Sequence, residues 1–396
     1  MASKYIRVAT TLYKIVRKPL LSGDFIERRI PWNYETLRQD HERDYISKVE
    51  KYDGFCCVPC HTYYQSRIGN FLNEYEPTQI TPGEGECKII QAFLAHIFGE
   101  QLEMGLDYLQ LLYTLPLQRL PILMLVSKER NTGKTTFLNL LKAIFGGNMT
   151  FNTNEDFRSQ FNSDWATKLI VAVDEVLLDR KEDSERIKNL STARNYKAEA
   201  KGKDKNEVEF FAKFILCSNN ELNPIHVEQG ETRYWIRKVP TLRADNPNLL
   251  FEMKEELPCF LFFLVNRRLH TKRESRMWFR NDIIRTDALY KIIEHNRNKA
   301  ENEMIQIISE IMQTKELPEL NFCIGEMVTM LDLRGIKTEH IYIRRILQYN
   351  WELKPCEPKH YNCYHLNYDG AIEMIPKTGR FYTVKKEKLE QILLLC

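Results

Sequence analysis

The sequence has no uninterrupted apolar run of the length that a transmembrane helix needs, which is about 20 residues. Its segment PCFLFFLV, at positions 258–265, is far too short. The first residues also show no apolar core followed by a small-residue cleavage site, as a secretory signal would. We therefore expect a cytoplasmic protein with no membrane partner, whose ten cysteines are mostly free thiols.

The net charge of the chain is also low. The 57 basic and 54 acidic side chains leave a formal net charge of only +3, so any nucleic-acid binding must depend on local basic surfaces. The 396 residues are 43% hydrophobic and 28% charged, which is the composition of a soluble globular protein. A chain of this length is long enough for two or three domains with sizeable cores.

A second cysteine or histidine pair at metal-ligand spacing is missing as well. Cys57, Cys60 and His61 form a C-x-x-C-H pattern, which is the attachment signature of a c-type haem. Such attachment requires export, and a zinc site would need a further pair of ligands. We therefore interpret these cysteines and the other, scattered ones mainly as small core residues.

The most informative stretch is PILMLVSKERNTGKTTFLNLLKAIF, at positions 121–145. The apolar run 122–126 predicts a buried strand, a polar loop follows, and Thr135 opens an amphipathic helix. A strand, a loop ending in Gly-Lys-Thr and a helix are the context of a phosphate-binding P-loop. In that role Gly133 lets backbone amides turn towards the phosphates, Lys134 reaches the β- and γ-phosphates, and Thr135 places its hydroxyl on Mg²⁺.

One position departs from the GxxxxGK[ST] pattern, because Lys128 stands where the first glycine is expected. For the Gly-Lys-Thr tripeptide alone, an ordinary helix start is the alternative interpretation. The residues predicted to bind the nucleotide are Lys128, Asn131, Thr132, Gly133, Lys134, Thr135 and Thr136.

A second apolar segment, LIVAVDEVLL at 169–178, contains two consecutive acids. Its continuous hydrophobicity is typical of a parallel strand whose carboxyl end faces a ligand. Asp174 is predicted to hold Mg²⁺ together with Thr135, and Glu175 to polarise the water that attacks the γ-phosphate. The alternative for the acid pair alone is a capped core strand.

A third strand candidate, FAKFILCS at 211–218, ends in two asparagines. Asn219, with Asn220 as second choice, is predicted to sense the γ-phosphate and orient the water, although asparagine also favours turns. Farther along, Arg233 and Arg237 flank an aromatic pair, and either is a candidate for acting on the ATP of a neighbouring subunit. A salt bridge or a surface arginine is the open alternative for each.

Between the acidic and asparagine segments lies a basic stretch that also contains Arg194, with a predicted turn at Gly202. A basic hairpin suits a loop that grips a phosphate backbone, where lysine acts as a mobile point charge. A solvated loop tip is the alternative. The predicted DNA-binding residues are Lys197, Lys201, Lys203 and Lys205.

Together, from Lys88 to Leu242, these motifs resemble the superfamily 3 helicases of the AAA+ class. The likeness is to the helicase half of primase-helicases from phages, large DNA viruses and integrated elements. It implies a hexameric homo-oligomer that threads single-stranded DNA with ATP and Mg²⁺, typically 3′ to 5′, in the bacterial host cytoplasm if phage-derived. A primase or other replication proteins are implied partners. No acidic metal-binding set precedes residue 86, so we do not expect priming by this chain itself.

The expected fold class is α/β, an AAA+ P-loop ATPase core with a helical N-terminal region and a C-terminal winged-helix-like domain. Helical patterns followed by the strand candidates HYNCYHLNY and RFYTVKK predict the winged helix, which binds either DNA or protein. The units are a mixed N-terminal region (1–86), a helical collar (87–117), the ATPase domain (118–245), a helical extension (246–300) and the winged-helix-like domain (301–396).

The leading hypothesis is an ATP-dependent DNA helicase that translocates on single-stranded DNA in phage or mobile-element replication. The second is a DNA-packaging or loader ATPase that acts on duplex DNA. The third is a non-catalytic DNA-binding protein whose P-loop holds nucleotide only to stabilise an oligomer. Lys128 favours the third hypothesis, whereas Lys134 and Glu175 argue against it, because a protein that hydrolyses no ATP has no need of Glu175.

Overall fold

The computed structural model describes residues 4–19, 25–159, 164–178, 181–198, 206–227, 230–296, 299–366 and 371–394. Its strands are β1 (Tyr5–Val8), β2 (Thr11–Pro19), β3 (Phe25–Trp32), β4 (Glu50–Tyr52), β5 (Gly54–Cys56), β6 (Arg67–Ile68), β7 (Phe71–Asn73), β8 (Ile122–Val126), β9 (Met149–Phe151), β10 (Ile170–Val173), β11 (Asn195–Ala198), β12 (Asn206–Glu209), β13 (Lys213–Ser218), β14 (Tyr234–Lys238), β15 (Glu319–Phe322), β16 (Lys359–Leu366), β17 (Ile372–Gly379) and β18 (Tyr382–Lys385).

The α-helices are α1 (Tyr34–Asp40), α2 (Lys88–Phe98), α3 (Leu102–Thr114), α4 (Lys134–Phe145), α5 (Lys181–Thr192), α6 (Leu249–Glu255), α7 (Leu257–Asn266), α8 (Asn281–Ile284), α9 (Asp287–Asn296), α10 (Lys299–Thr314), α11 (Ile324–Leu333), α12 (His340–Arg345) and α13 (Lys386–Leu394). Short 3₁₀ segments cover Arg43–Lys48, Gly99–Gln101 and Gly146–Asn148, and a π-helical turn, Ile346–Asn350, follows α12. Among the described residues, no helix combines the length and apolar composition that crossing a membrane requires.

A five-stranded, all-parallel sheet lies at the centre of the molecule, with the strand order β14-β8-β13-β10-β9. Every residue of β8, β10 and β13 is buried, because helices cover both faces of the sheet. This architecture explains why the strands appear in the sequence as continuous apolar runs. The class is therefore mixed α/β with a parallel sheet, and the strand predicted at 122–126 is confirmed as β8.

Two hydrophobic cores cover the two faces of the sheet. Helices α2, α3, α4, α6 and α7 pack on one face, and α5 and α9 pack on the other. The ring of Phe98 in α2 stacks on Trp235 in β14 at 5.3 Å between centroids, which joins the collar directly to the sheet. The predicted collar and helical extension therefore share their cores with the sheet.

Among the described residues up to position 86, strands are more extensive than helices, so the expectation of a helical N-terminal region holds only from α2 onwards. One small sheet has the order β3-β2-β1-β4, and another has the order β5-β7-β6. The antiparallel pairing of β2 with β3 brings the ammonium of Lys14 over the ring of Trp32, 4.1 Å from its centroid. Aromatic and β-branched residues such as those of β1 and β2 favour strands over helices, which is the physical reason for the difference.

The hairpin of β11 and β12 is antiparallel and leaves the sheet at its amino edge, directly before β13 begins. Its base is closed by a backbone hydrogen bond of 2.7 Å from the Phe210 N–H to the Arg194 carbonyl. The tip of the hairpin, residues 199–205, lies outside the described residues. The predicted strand pair around the basic segment is thus present at its base.

The C-terminal residues form a separate core from helices α10, α11 and α12 with strands of two small sheets. The segment HYNCYHLNY forms β16, but its antiparallel partner is β17, and RFYTVKK contributes β18, which pairs with β15 instead. The prediction missed β17 because Pro376 lies within it, and proline weakens a strand assignment. The two strands predicted to form the wing therefore lie in different sheets, and the winged-helix assignment stays a prediction.

Candidate nucleotide-binding site

The loop between β8 and α4 has the backbone of a tight turn into a helix. Gly133 caps α4 in the left-handed conformation, with φ of 86°, which glycine adopts without strain. A Cβ atom at this position would lie 2.9 Å from Cε2 of Phe93, so the collar also excludes a side chain there. The ring of His96 contacts the Thr132 carbonyl through Nε2 at 3.0 Å. The collar therefore fixes the shape of the loop.

The ammonium of Lys134 lies at the carboxyl end of β8, where its side chain is only 6% exposed. It donates hydrogen bonds to the hydroxyl of Ser127 and, at 3.1 Å, to that of Thr132. Burial lowers the pKa of Lys134, and the nearby carboxylate of Asp174 acts in the opposite direction. Ser127 was not predicted, although its place directly after an apolar strand was a signal that could have found it.

The two predicted magnesium ligands touch each other. The hydroxyl of Thr135 donates a 2.7 Å hydrogen bond to Oδ2 of Asp174, which joins the first turn of α4 to the end of β10. Hydroxyl and carboxylate oxygens are ligands that Mg²⁺ accepts, and this ion usually keeps several waters when it is bound with a nucleotide. Thr135 and Asp174 therefore fit a magnesium site, although no group of three or more His, Cys, Asp or Glu side chains suited to a metal occurs among the described residues.

Glu175 has a backbone that is uncommon for a residue with a side chain, with φ of 61°. The next residue anchors it, because the Val176 N–H donates to the Cys217 carbonyl at 2.7 Å. The exposed carboxylate of Glu175 accepts a 3.4 Å contact from Nδ2 of Asn219 at the tip of β13. Strained backbone of this kind costs about 1–3 kcal/mol and is concentrated at functional sites.

Asn154 supports the same turn and was missed in the sequence. Its Nδ2 approaches the Glu175 carbonyl at 3.4 Å, and its Oδ1 accepts a 3.0 Å hydrogen bond from the Leu177 N–H. The carboxylate of Glu221, a second unpredicted residue, accepts hydrogen bonds from the Lys128 N–H at 2.8 Å and from the Lys238 ammonium at 2.9 Å. Asn154 and Glu221 both connect segments that are distant in the sequence, so no local sequence pattern predicts their contacts.

The two candidate arginines lie in different surroundings. Arg237 is buried and forms an ion pair with Glu100, with a further 3.2 Å contact to Oε1 of Gln101. Arg233 precedes β14, at the amino edge of the sheet, and pairs with Glu231 at 3.3 Å. Each therefore makes the salt bridge named as its alternative, and an action on a neighbouring subunit stays a prediction for both.

The remaining predicted residues are placed as follows. Lys128 and Asn131 are exposed in the loop, Thr132 is buried, and Thr136 is half-buried in α4. Lys197 is exposed on β11, opposite Glu207. Lys201, Lys203 and Lys205 lie outside the described residues.

The C-x-x-C-H segment is partly buried, with His61 inside and Val58 exposed. The ring of His61 stacks on Tyr113 at 5.0 Å and meets the hydroxyl of Tyr75 at 2.8 Å through Nε2. Burial lowers the pKa of His61 to about 4, so its ring is neutral near pH 7. Cys57 directs its thiol to the Thr167 carbonyl at 3.6 Å. These contacts give the segment a structural role.

A parallel sheet that gathers a buried lysine, a hydroxyl–carboxylate pair and an acid–amide pair at one edge defines a mixed α/β protein with a candidate nucleotide site. Residues 125–237, less than half of the chain, match a family described as "Family of unknown function (DUF5906)". The DNA primase-polymerase of Nitratiruptor phage NrS-1 is 27% identical over 175 residues, which cover 41% of this chain and 24% of that protein.

Solved structures of the NrS-1 C-terminal region have a similar fold over nearly the whole chain. Its apo structure has a TM-score of 0.66 at 15% identity and covers 96% of this chain and 95% of that one. An A-form apo structure has a TM-score of 0.63, also at 15% identity, with the same coverage. The sequence match spans about a quarter of the curated relative's length, and the fold of this chain is similar to that of the relative's C-terminal region.

Proposed function

We propose that this protein acts in phage DNA replication as an ATP-dependent helicase that moves along single-stranded DNA. The relation to a phage DNA primase-polymerase supports the replication role. The observation that carries the ATPase role is the convergence of Lys134, the Thr135–Asp174 pair and the Glu175–Asn219 pair at one sheet edge. The expected assembly is a homo-oligomer, a hexamer by analogy with the family that the motifs resemble.

In this proposal the chain hydrolyses ATP to ADP and phosphate. The amides around Gly133 and the start of α4 hold the phosphates, and Lys134 contacts the β- and γ-phosphates. Mg²⁺, when bound by Thr135 and Asp174, neutralises charge on the phosphate oxygens. Glu175 accepts the proton of the attacking water, and Asn219 holds the Glu175 carboxylate towards that water. The AAA+ assignment of the core belongs to this proposal.

Strand β13 offers a direct mechanical link between the ATP site and the hairpin. Asn219 follows its carboxyl end, and the β11–β12 hairpin precedes its amino end by only a few residues. A shift of Asn219 between the ATP and ADP states therefore acts on the same rigid strand that carries the hairpin. Successive shifts in neighbouring subunits would draw the bound strand along, with Lys197, Lys201, Lys203 and Lys205 as its contacts.

The test is ATP turnover with and without a single-stranded oligonucleotide, followed by strand separation from a forked duplex. We expect DNA-stimulated turnover, and Lys134→Ala should lower it about 100- to 1000-fold because it removes a phosphate-binding charge. Lys254→Ala, which alters an exposed lysine on α6, is the control and should behave as wild type. Stimulation by duplex without strand separation would favour the packaging or loader role, and nucleotide binding without turnover would favour the non-catalytic oligomer.

A further inference from the structure

A cavity of about 480 Å³ lies at the amino edge of the parallel sheet. It is open to solvent and is lined by the end of α5, the segment before β8, the base of the β11–β12 hairpin, the start of β13 and the loop between α7 and α8. Strand β8 separates this edge from Lys134 by about 13 Å, at about 3.3 Å per residue. The cavity is therefore distinct from the candidate ATP site. Its volume is typical of pockets for small organic groups.

Positive charge dominates the lining of this cavity. Its basic lining residues are Arg119, Arg194, Lys213, Arg273 and Arg276. Among the described residues that line it, Glu209 is the one acid. The charges come from four separate parts of the chain, so the fold brings them together and no single basic segment accounts for them.

Among the residues that the structure describes, no acid forms an ion pair with the arginines of the cavity. In the part of the chain that the structure describes, no carboxylate forms an ion pair with Arg119, Arg194 or Arg276. By contrast, Arg237 pairs with Glu100, and Arg267, just before the same loop, pairs with Asp107 at 2.5 Å. These two paired arginines have nearly buried side chains, whereas Arg194 and Arg276 are exposed and therefore open to an anion from solvent.

Repulsion between the basic side chains of the cavity contributes to lowering the pKa values of two of them. Burial, and then the charges of Arg194 and Arg276, lower the pKa of Arg119. Burial and then Arg119 lower the pKa of Lys213 to about 7, although its ammonium donates to the Pro116 and Phe211 carbonyls. Like charges held together in this way are stabilised when an anion enters, and the planar guanidinium group matches the geometry of a phosphate.

We propose that this cavity binds a phosphodiester unit of single-stranded DNA, with Arg119, Arg194 and Arg276 as its main contacts. The strand then meets the protein both at the hairpin tip and at the hairpin base. The choice of DNA as the phosphate source rests on the proposed function, whereas the phosphate chemistry rests on the cavity alone. Free nucleotides carry the same chemistry, so the experiment separates the two sources.

The experiment measures binding of a fluorescent oligo-dT to the full chain by anisotropy, in EDTA and without nucleotide, across a range of salt concentrations. The variant is Arg119→Gln/Arg276→Gln. We expect its affinity to fall at least about tenfold, because hydrogen bonds to charged groups are lost. The slope of log affinity against log salt should become shallower by about 1.4, at about 0.7 per phosphate contact on a single strand.

The matched control is Arg268→Gln, which removes an exposed arginine near the same loop but outside the cavity lining. It should keep wild-type affinity and slope. Equal behaviour of the double variant and this control would overturn the proposal. So would a double variant that keeps its oligo-dT affinity but loses binding of ADP or tripolyphosphate. Arginine-dependent DNA binding in a chain that turns over no ATP would support the cavity and refute the motor.

Discussion

Two buried lysines lie at opposite edges of the same parallel sheet, and their neighbours have opposite charge. Lys134, at the carboxyl edge, has the carboxylate of Asp174 nearby, which raises its pKa against the effect of burial. Lys213, at the amino edge, has Arg119 nearby, which lowers its pKa further than burial alone, to about 7. The two edges thus differ in electrostatic balance, although both present a buried cation.

This difference in charge between the two edges suits them to different functions. At the carboxyl edge, the Lys134 ammonium is hydrogen-bonded to two hydroxyls, Thr135 donates to Asp174, and Asn219 contacts Glu175. Such a set can hold Mg²⁺, phosphate and water in a defined geometry. At the amino edge, no carboxylate in the described part of the chain forms an ion pair with the arginines Arg119, Arg194 and Arg276. They suit a site that only binds a polyanion. The two proposals therefore place ATP hydrolysis and DNA binding at opposite edges of the sheet.

The largest expected effect is a loss of ATP turnover from a substitution at the carboxyl edge alone. Glu175→Gln should lower ATP turnover about 100- to 10,000-fold, because an amide cannot accept the proton of the attacking water. Binding of a fluorescent ATP analogue should persist, because the phosphate contacts remain. The measurement is steady-state turnover beside an equilibrium titration.

Glu255→Gln, an exposed acid on α6, serves as the control for Glu175→Gln. Undiminished turnover in Glu175→Gln would remove the catalytic role of this residue and with it the contrast between the two edges.

The second prediction concerns the amino edge, where Lys213 should make the free energy of unfolding depend on pH. An unfolded lysine has a pKa of about 10.4, whereas that of Lys213 is about 7 in the fold. Between these values the unfolded chain binds a proton that the folded chain does not, so stability rises with pH. Wild type should gain about 2 kcal/mol of unfolding free energy from pH 7 to pH 9 relative to Lys213→Met.

Urea unfolding of both chains at the two pH values measures this difference. Lys142→Met, which alters another partly buried lysine whose pKa burial lowers, tests whether the slope belongs to Lys213. A constant difference between wild type and Lys213→Met across the pH range would contradict the charged, crowded environment assigned to the cavity.

The carboxyl edge was largely predictable from the sequence, and the amino edge was not. Asp174 and Asn219 directly follow apolar strands, and Lys134 follows a recognisable loop, so their local patterns identify them. Because parallel strands share one carboxyl edge, their tips also had to meet. Ser127 could have been found by the same rule.

The basic cavity required knowledge of the tertiary structure. Arg119, Arg194 and Arg276 lie in three distant segments outside the regular elements, and each alone resembles an ordinary surface arginine. Only the return of α5 to the amino edge brings Arg194 towards Arg119. Similarly, the strands of the N-terminal region and β17 depend on pairing with distant partners, which periodicity does not reveal.

The smallest expected effect tests how strictly the carboxyl edge is shaped. Gly133→Ala places a side chain in a left-handed backbone, which costs about 1–2 kcal/mol, and its Cβ would press on Phe93. Gly335→Ala is the matched control, because its φ of 76° is similar and its Cβ would meet open space. Both variants should lose stability in urea unfolding, and Gly133→Ala should lose more because of its contact with Phe93. Only Gly133→Ala should also weaken binding of an ATP analogue, since its loop carries the proposed phosphate-binding amides. Equal nucleotide affinity in the two variants would mean that the loop around Gly133 tolerates displacement, and the contrast between a shaped catalytic edge and a merely charged one would lose its structural basis.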